Sequence, residues 1–174
     1  MRDAAAHDLS LTLGHGASGT KESMRPHVEG LAARGIHAIA IDLPKRKSED
    51  VVDIFEAQLP ASGRLAVGGH SFGGRVSSLL AARRPLEAVV LFSYPLHRPG
   101  GPELGPRVAH WPSIECPVLL LSGEADPFAR IDLLREAVKT LPHGELVTYP
   151  RLGHGLLPAL DDALDHVARF LAAI

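Results

Sequence analysis

The chain has 174 residues, of which 45% are hydrophobic and 22% charged, values typical of a soluble globular protein with one domain over residues 1–174. A formal net charge of −2 gives no electrostatic basis for binding nucleic acid or an anionic membrane surface. The single cysteine, Cys116, excludes an internal disulfide, and its position before Pro117 favours a buried structural thiol.

The N-terminus bears on where the protein resides. Residues 1–8 lack the apolar core of a signal peptide, and no run approaches the roughly 18 apolar residues that a membrane helix needs. Together with the lone cysteine, which favours a reducing compartment, this pattern leads us to expect a cytoplasmic protein.

Strands and helices alternate in the first part of the chain. The pattern predicts a strand at 9–13, a glycine-dense loop at 14–19, a helix at 23–34, a strand at 37–43 and a helix from Ser48. The basic cluster at 45–47 is too short to bind nucleic acid and is interpreted as a solvated loop.

Residues 64–75 contain the most informative motif. An apolar run at 65–67 predicts a buried strand, and apolar residues recur at helical spacing from Phe72 onwards. Between them, Gly69, Ser71 and Gly73 form G-x-S-x-G, in which a sharp strand-to-helix turn exposes the serine hydroxyl. Ser71 is therefore the candidate nucleophile, although a serine between glycines is also compatible with ordinary turn chemistry.

The alternation continues to the C-terminus. Strands are predicted at 86–92, 117–122 and 145–149, and helices at 131–141 and from Leu157 onwards, with a long Pro/Gly-rich loop at 93–116. Continuous apolar strands joined by helices indicate an α/β fold of about six mostly parallel strands, with helices on both faces.

Catalytic groups in such sheets collect at the carboxyl ends of the strands. Ser71, Asp126 and His154 each follow a strand, in the order nucleophile, acid, histidine. His154 is expected to take the serine proton, and Asp126 to hold the imidazole in one tautomer. Alternatively, Asp126 is a helix-entry cap, with Glu124 or Asp132 as the acid, and His154 is a flexible loop residue.

The remaining candidates surround this triad. Backbone N–H groups of Phe72 and Ala17 are expected to stabilise the oxyanion, and His15 to serve the conformation of the loop that borders the pocket. None of the ten histidines has convincing metal-ligand spacing, so we expect no metal and no cofactor.

Several segments together resemble the α/β-hydrolase superfamily, namely residues 14–17, 68–75, 93–97, 122–126 and 153–154. Within it, Ser-Tyr-Pro-Leu-His at 93–97 is similar to small dienelactone-hydrolase-like predicted hydrolases, the branch that includes animal testis-expressed and NSL-complex proteins. The resemblance implies the triad above and places Tyr94 and His97 at the rim of the site. It also implies a basic residue where this chain has His70, which puts anion binding in doubt. Dienelactone hydrolases proper use cysteine, so their substrate is not carried over.

The fold is expected to be a trimmed version of the superfamily's. The residues before Leu9 cannot supply the extra strands of a full α/β-hydrolase, and there is no room for a cap domain. The loop at 93–116 is the only lid material, and Leu96, Trp111 and Phe128 are expected to line a shallow apolar pocket.

Two functions from different classes follow. The first is a serine hydrolase that cleaves an ester, thioester or related acyl bond of a small substrate through an acyl-enzyme. The second is a catalytically idle α/β-hydrolase module that binds a protein partner. The intact triad favours the first.

Overall fold

The computed structural model describes residues 8–101 and 105–174. Residues 1–7, on which the expected absence of a signal peptide depends, and residues 102–104 of the predicted lid loop lie outside the described residues. The described strands are β1 Leu9–Gly14, β2 His37–Ile41, β3 Arg64–His70, β4 Ala88–Phe92, β5 Val118–Gly123 and β6 Gly144–Tyr149. The α-helices are α1 Arg25–Ala32, α2 Ser48–Glu56, α3 Phe72–Ala81, α4 Ile131–Val138 and α5 Leu160–Ala172.

All six strands form one sheet, in the order β2-β1-β3-β4-β5-β6, and every neighbouring pair is parallel. The predicted α/β architecture is confirmed, and the sheet is wholly rather than mostly parallel. The chain winds outward to β2 and then back past β1 to β3, so the strand order reverses between β1 and β3. Ligands of open parallel sheets bind outside the carboxyl ends of strands at such a point.

Two hydrophobic cores cover the two faces of the sheet. Alternate residues of a strand point to opposite faces, and in β4 Val89 and Leu91 join one core while Val90 and Phe92 join the other. The first core takes buried residues from α2, α3 and α4, and the second takes them from α1 and α5. All five residues of β4 are buried, as a central strand covered on both sides requires.

Three helices are shorter than the sequence predicts. The helix predicted at 131–141 ends at Val138, and the other two, α1 and α5, each begin after a 3₁₀ turn with a proline nearby. The predicted helix at 23–34 is a 3₁₀ turn, Lys21–Met24, followed by α1, which has a proline in its first turn. The closing helix likewise begins with a 3₁₀ turn, Leu157–Ala159, before α5. Because proline has no N–H to donate, it is tolerated only at the beginning of a helix.

The carboxyl edge of the sheet is covered by loops. The longest connects β4 to β5 and contains a 3₁₀ turn, Trp111–Ser113, and the part of the chain that the structure describes contains no cap domain. Within the same residues, no helix combines the length and the apolar character that crossing a membrane requires. The site at this edge is therefore bordered by loops rather than by a separate helical layer.

Three glycines let β1, β3 and α3 approach one another closely. Gly14 and Gly69 are register partners at the ends of β1 and β3, and Gly73 is the second residue of α3. A Cβ on Gly73 would lie 2.2 Å from the carbonyl carbon of Gly14, and one on Gly69 would lie 2.4 Å from the Gly14 carbonyl oxygen. Backbone therefore packs directly on backbone at the point where α3 leaves the sheet.

This packing predicts that Gly73→Ala destabilises the fold. Since the added methyl group meets backbone atoms, the helix must shift, and we expect the free energy of unfolding to fall by about 1–3 kcal/mol. Gly105→Ala is the matched control, because its Cβ would meet no atom of the described residues within 4 Å. Urea denaturation measures both variants, and an unchanged midpoint for Gly73→Ala would contradict the close approach.

A buried histidine predicts that stability depends on pH. His27 of α1 packs edge-on against Phe92 at a ring distance of 4.9 Å, and among the described residues its Nδ1 has no hydrogen-bond partner. Burial lowers the pKa of His27 to about 4, with a smaller contribution from His70. At pH values between about 4 and 6.5 the unfolded chain binds more protons than the native one, so stability falls as the pH drops through this window.

We expect His27→Leu to weaken this pH dependence, since the substitution removes one group that must be buried uncharged. Urea midpoints at pH 7 and pH 5 should differ less in the variant than in the parent protein. Part of the dependence should remain, because burial also lowers the pKa of His110 to about 4. His143→Leu, at an exposed position, is the control. Equal differences in His27→Leu and the parent would show that His27 is not buried in its neutral form.

Candidate active site

Ser71 sits at the turn between β3 and α3 in a backbone conformation that side chains rarely adopt. Its φ is 50° and its ψ −112°. A residue held in such a region costs about 1–3 kcal/mol and persists only when its surroundings fix it. Here the Ser71 N–H donates to the Phe92 carbonyl at 2.9 Å, and the Gly73 N–H donates to the His15 carbonyl at 2.9 Å. The strained turn predicted from the motif is present.

The structure brings Ser71, His154 and Asp126 together from three separate loops. The Ser71 hydroxyl donates to His154 Nε2 at 2.8 Å, and His154 Nδ1–H donates to Asp126 Oδ2 at 2.8 Å. The side chain of Asp126 is fully buried, whereas that of His154 is 24% exposed. This arrangement holds the imidazole in the tautomer whose Nε2 faces the serine and can accept its proton.

Asp126 is both a local cap and the partner of His154, so the two interpretations of this residue are compatible. Its Oδ1 accepts the Phe128 N–H at 2.8 Å, while Oδ2 faces His154. The alternative acids bind other groups: Glu124 accepts from Thr148 and Arg135, and Asp132 pairs with Arg130 on the surface. Neither contacts the histidine.

His154 is enclosed by two further rings. The ring of Phe128 lies 4.4 Å from it and that of His70 lies 5.2 Å away. His70 Nε2 is 3.1 Å from the His154 carbonyl oxygen and supports the loop that carries the candidate base. Burial lowers the pKa of His70, so the position where the resemblance implies a cation is uncharged near neutral pH.

Two backbone amides without an acceptor belong to residues at the cleft beside Ser71. Within the described residues, the N–H groups of Ala17 and Phe72 have no hydrogen-bond acceptor, and both residues line the same cleft as Ser71. The Phe72 amide is free because it belongs to the first residue of α3, where the backbone has no helical partner to offer. The two amides predicted for an oxyanion are therefore available.

Two other histidines near the site are held entirely by backbone groups. His15 is buried, and its Nε2 accepts the Leu43 N–H at 2.9 Å while Nδ1–H donates to the Gly16 carbonyl at 2.7 Å. The structure thus places His15 under the loop after β1, in agreement with its expected effect on that loop, and not in the pocket wall. His97 does line the cleft, and it is fixed in the same way by Arg130 and Arg98.

Three residues predicted at the pocket lie in the core instead. Tyr94, Leu96 and Trp111 are at most 1% exposed and belong to the core beneath the β4–β5 loop. The rings of Tyr94 and Trp111 pack edge-on at 5.0 Å, and the Tyr94 hydroxyl donates to the Arg107 carbonyl. These three side chains turn inward because burying them removes a large apolar surface from water, and the loop above them has few other apolar residues to bury. Of the predicted apolar lining, Phe128 alone reaches the cleft.

The cleft above Ser71 has a volume of about 700 Å³. Its wall carries four basic residues, Lys47, Arg75, Arg98 and Arg107. The sequence-based prediction missed this group, because its members come from three separate segments. Only the position of Arg75 could have been anticipated, because a residue one helical turn after Ser71 on α3 lies on the same side of the helix as Ser71.

The described residues contain no cluster of three or more side chains that could hold a metal ion. What the site offers is a hydroxyl, an imidazole with a buried carboxylate behind it, and two free amides. Acyl transfer requires a nucleophile, a general base and an oxyanion site, and these groups are of the chemical kinds that can fill those roles.

The chain belongs to the α/β-hydrolases: residues 43–167 match the family described as "Alpha/beta hydrolase domain". A comparison with curated proteins finds no significant match.

Solved structures with the same fold cover nearly the whole chain. A monoacylglycerol lipase of Paleococcus ferrophilus is similar at 16% identity and a TM-score of 0.81, with 94% of each chain covered. Est1E of Butyrivibrio proteoclasticus, solved with ferulic acid, gives 17% identity and a TM-score of 0.80 over 99% of this chain and 91% of that one. A predicted CIB-like hydrolase of Thermoplasma acidophilum gives 18% identity and a TM-score of 0.75, over 100% of this chain and 90% of that one. At these identities the likeness concerns the fold.

Proposed function

We propose that the protein is a serine hydrolase that cleaves an ester, thioester or related acyl bond through Ser71, His154 and Asp126. The observation that carries the proposal is the unbroken hydrogen-bond chain from the Ser71 hydroxyl through His154 to the buried Asp126 carboxylate. A serine in a strained turn beside a neutral imidazole acceptor is the arrangement that activates a hydroxyl near neutral pH.

In this mechanism Ser71 Oγ attacks the acyl carbon as its proton passes to His154 Nε2. Asp126 stays ionised and stabilises the imidazolium, and the Phe72 and Ala17 amides bind the oxyanion of the tetrahedral intermediate. The intermediate collapses when His154 returns the proton to the leaving group, which departs and leaves an acyl-Ser71 ester. Water then attacks, His154 takes its proton, and collapse releases the acid and restores the serine.

Several features support ester cleavage by this chain. The fold is shared with a lipase and with Est1E, and loops alone border the cleft. Water therefore has ready access to the acyl-enzyme, which favours hydrolysis over transfer to another acceptor. The Ser-Tyr-Pro-Leu-His segment at 93–97 supports placement in the dienelactone-hydrolase-like branch, with serine in place of cysteine as nucleophile.

The first test is covalent labelling with a fluorophosphonate, which reacts with activated serines. We expect stoichiometric labelling of the parent protein and none of Ser71→Ala. Ser77→Ala is the matched control, because its hydroxyl is on the same helix but is buried and bonded to the Gly74 carbonyl. A folded parent protein that is never labelled would instead identify a binding module without catalysis.

The second test concerns the acid. Asp126→Asn keeps the shape of the side chain but removes the charge and favours the wrong imidazole tautomer, so we expect kcat for 4-nitrophenyl acetate to fall by about 10⁴. Asp132→Asn, which changes a surface carboxylate paired with Arg130, should leave kcat within about twofold. Comparable losses in the two variants, or none in Asp126→Asn, would remove Asp126 from the mechanism.

A further inference from the structure

The cleft beside Ser71 carries a positive charge that the composition of the protein does not explain. The chain as a whole has a formal net charge of −2. Yet the cleft is lined by four basic residues, Lys47, Arg75, Arg98 and Arg107. Glu49 is the one acidic residue among its described lining residues. Among the described lining residues, four cations against one carboxylate leave a local excess of about three positive charges where a substrate must bind.

Arg75 is the best-placed of the four. It lies on α3 one turn after the nucleophile, and its N–H donates to the Ser71 carbonyl at 3.0 Å. Its side chain is only 13% exposed, and Nη2 donates to Glu49 Oε1 at 2.6 Å. Within the described residues, Nη2 is the one guanidinium nitrogen of Arg75 with an acceptor, and Nε is buried without one. A buried donor without a partner is costly, and a bound anion would satisfy it.

Arg107 adds a second guanidinium that is short of acceptors. Its Nη1 donates to the Pro95 carbonyl at 3.0 Å, and no described carboxylate pairs with it. Burial lowers the pKa of Arg107, and repulsion from Arg75 and Arg98 lowers it further. Arg75, Arg98 and Arg107 line the same cleft, and an anion bound there would relieve the repulsion between their charges.

The two exposed basic residues of the cleft, Arg98 and Lys47, add positive charge nearer to the solvent. Arg98 and Lys47 are exposed at the mouth of the cleft, and Lys47 directly precedes α2, whose N-terminus faces the same space through Ser48 and Glu49. Glu49 is the neutralising charge, but its side chain is 55% exposed and it engages one nitrogen of Arg75. It therefore offsets the cluster only in part.

We propose that the cleft selects acyl substrates bearing a carboxylate, which Arg75 and Arg107 bind while the scissile carbonyl lies at Ser71. This substrate class rests on the proposed serine hydrolase function. Guanidinium groups suit the role because their planar fork matches the two oxygens of a carboxylate. The negative charge thus binds not at the position of His70 but beside Arg75, one helical turn beyond the nucleophile.

The test uses pairs of esters that differ only by methylation of the free carboxylate. One pair, mono-4-nitrophenyl glutarate and its methyl ester, carries the charge on the acyl part. The other pair, 4-acetoxybenzoate and methyl 4-acetoxybenzoate, carries it on the alcohol part. The measured quantity is the ratio of kcat/KM for the charged ester to that for its methylated partner. We expect a ratio of about ten or more in at least one pair, and the pair that shows it locates the anion.

Three variants make the test specific. Arg75→Gln and Arg107→Gln should each lower the ratio about tenfold while changing kcat/KM for the methylated ester much less. Glu49→Gln should raise the ratio, an outcome that partial unfolding cannot mimic. Arg83→Gln is the matched control, because Arg83 also pairs with carboxylates, Asp53 and Glu56, but does not line the cleft. Added salt should lower the ratio in the parent protein.

The outcomes separate this inference from the function on which it rests. If the protein reacts with a fluorophosphonate and hydrolyses the methylated esters, but the ratio stays near one in both pairs, then carboxylate selection is wrong and the hydrolase stands. If the ratio is high but is unchanged in Arg75→Gln, Arg107→Gln and Glu49→Gln, then Arg75 and Arg107 do not bind the carboxylate and the proposed site is wrong, while the hydrolase again stands. If the fluorophosphonate does not label the protein and no ester is cleaved, the proposed hydrolase function fails. The proposed selection of carboxylate-bearing esters then fails with it.

Discussion

The contact between the backbones of Gly14 and Gly73 is the constraint on which the site depends. It lets α3 begin directly against the end of β1, and the hydrogen bond from Gly73 to the His15 carbonyl fixes that position. Ser71 is consequently held at φ 50°, with its hydroxyl outside the sheet and its neighbouring amide unpaired. A side chain at either glycine would separate helix from strand and allow the turn to relax.

The histidines around the cleft differ in what holds them, and this difference distinguishes His154. His15 and His97 use both ring nitrogens on backbone groups, and His70 Nε2 faces a backbone carbonyl. These rings stabilise loops. His154 instead links two side chains, a hydroxyl and a buried carboxylate, so a proton accepted at Nε2 is balanced by a fixed charge behind Nδ1. Its surroundings favour proton transfer, whereas those of the others favour rigidity.

The sequence was sufficient for the sheet and for the convergence of Ser71, Asp126 and His154, because apolar runs that alternate with helical patterns predict parallel strands, and each of the three residues follows one of these runs. It was not sufficient for the loop between β4 and β5. There Pro and Gly mark irregular backbone but carry no periodicity, so nothing indicated that Tyr94 and Trp111 would turn into the core. The basic wall of the cleft was also hidden, since it is assembled from segments that are distant in sequence.

The central claim is that Ser71 carries the acyl group during turnover. Rapid quenching of the protein with 4-nitrophenyl acetate, followed by peptide mass spectrometry, tests it most directly. The account predicts a transient acetyl group on Ser71 that forms as 4-nitrophenolate is released and decays as acetate appears. Turnover of the ester with no acyl group on Ser71, or with the group on a different residue, would contradict it.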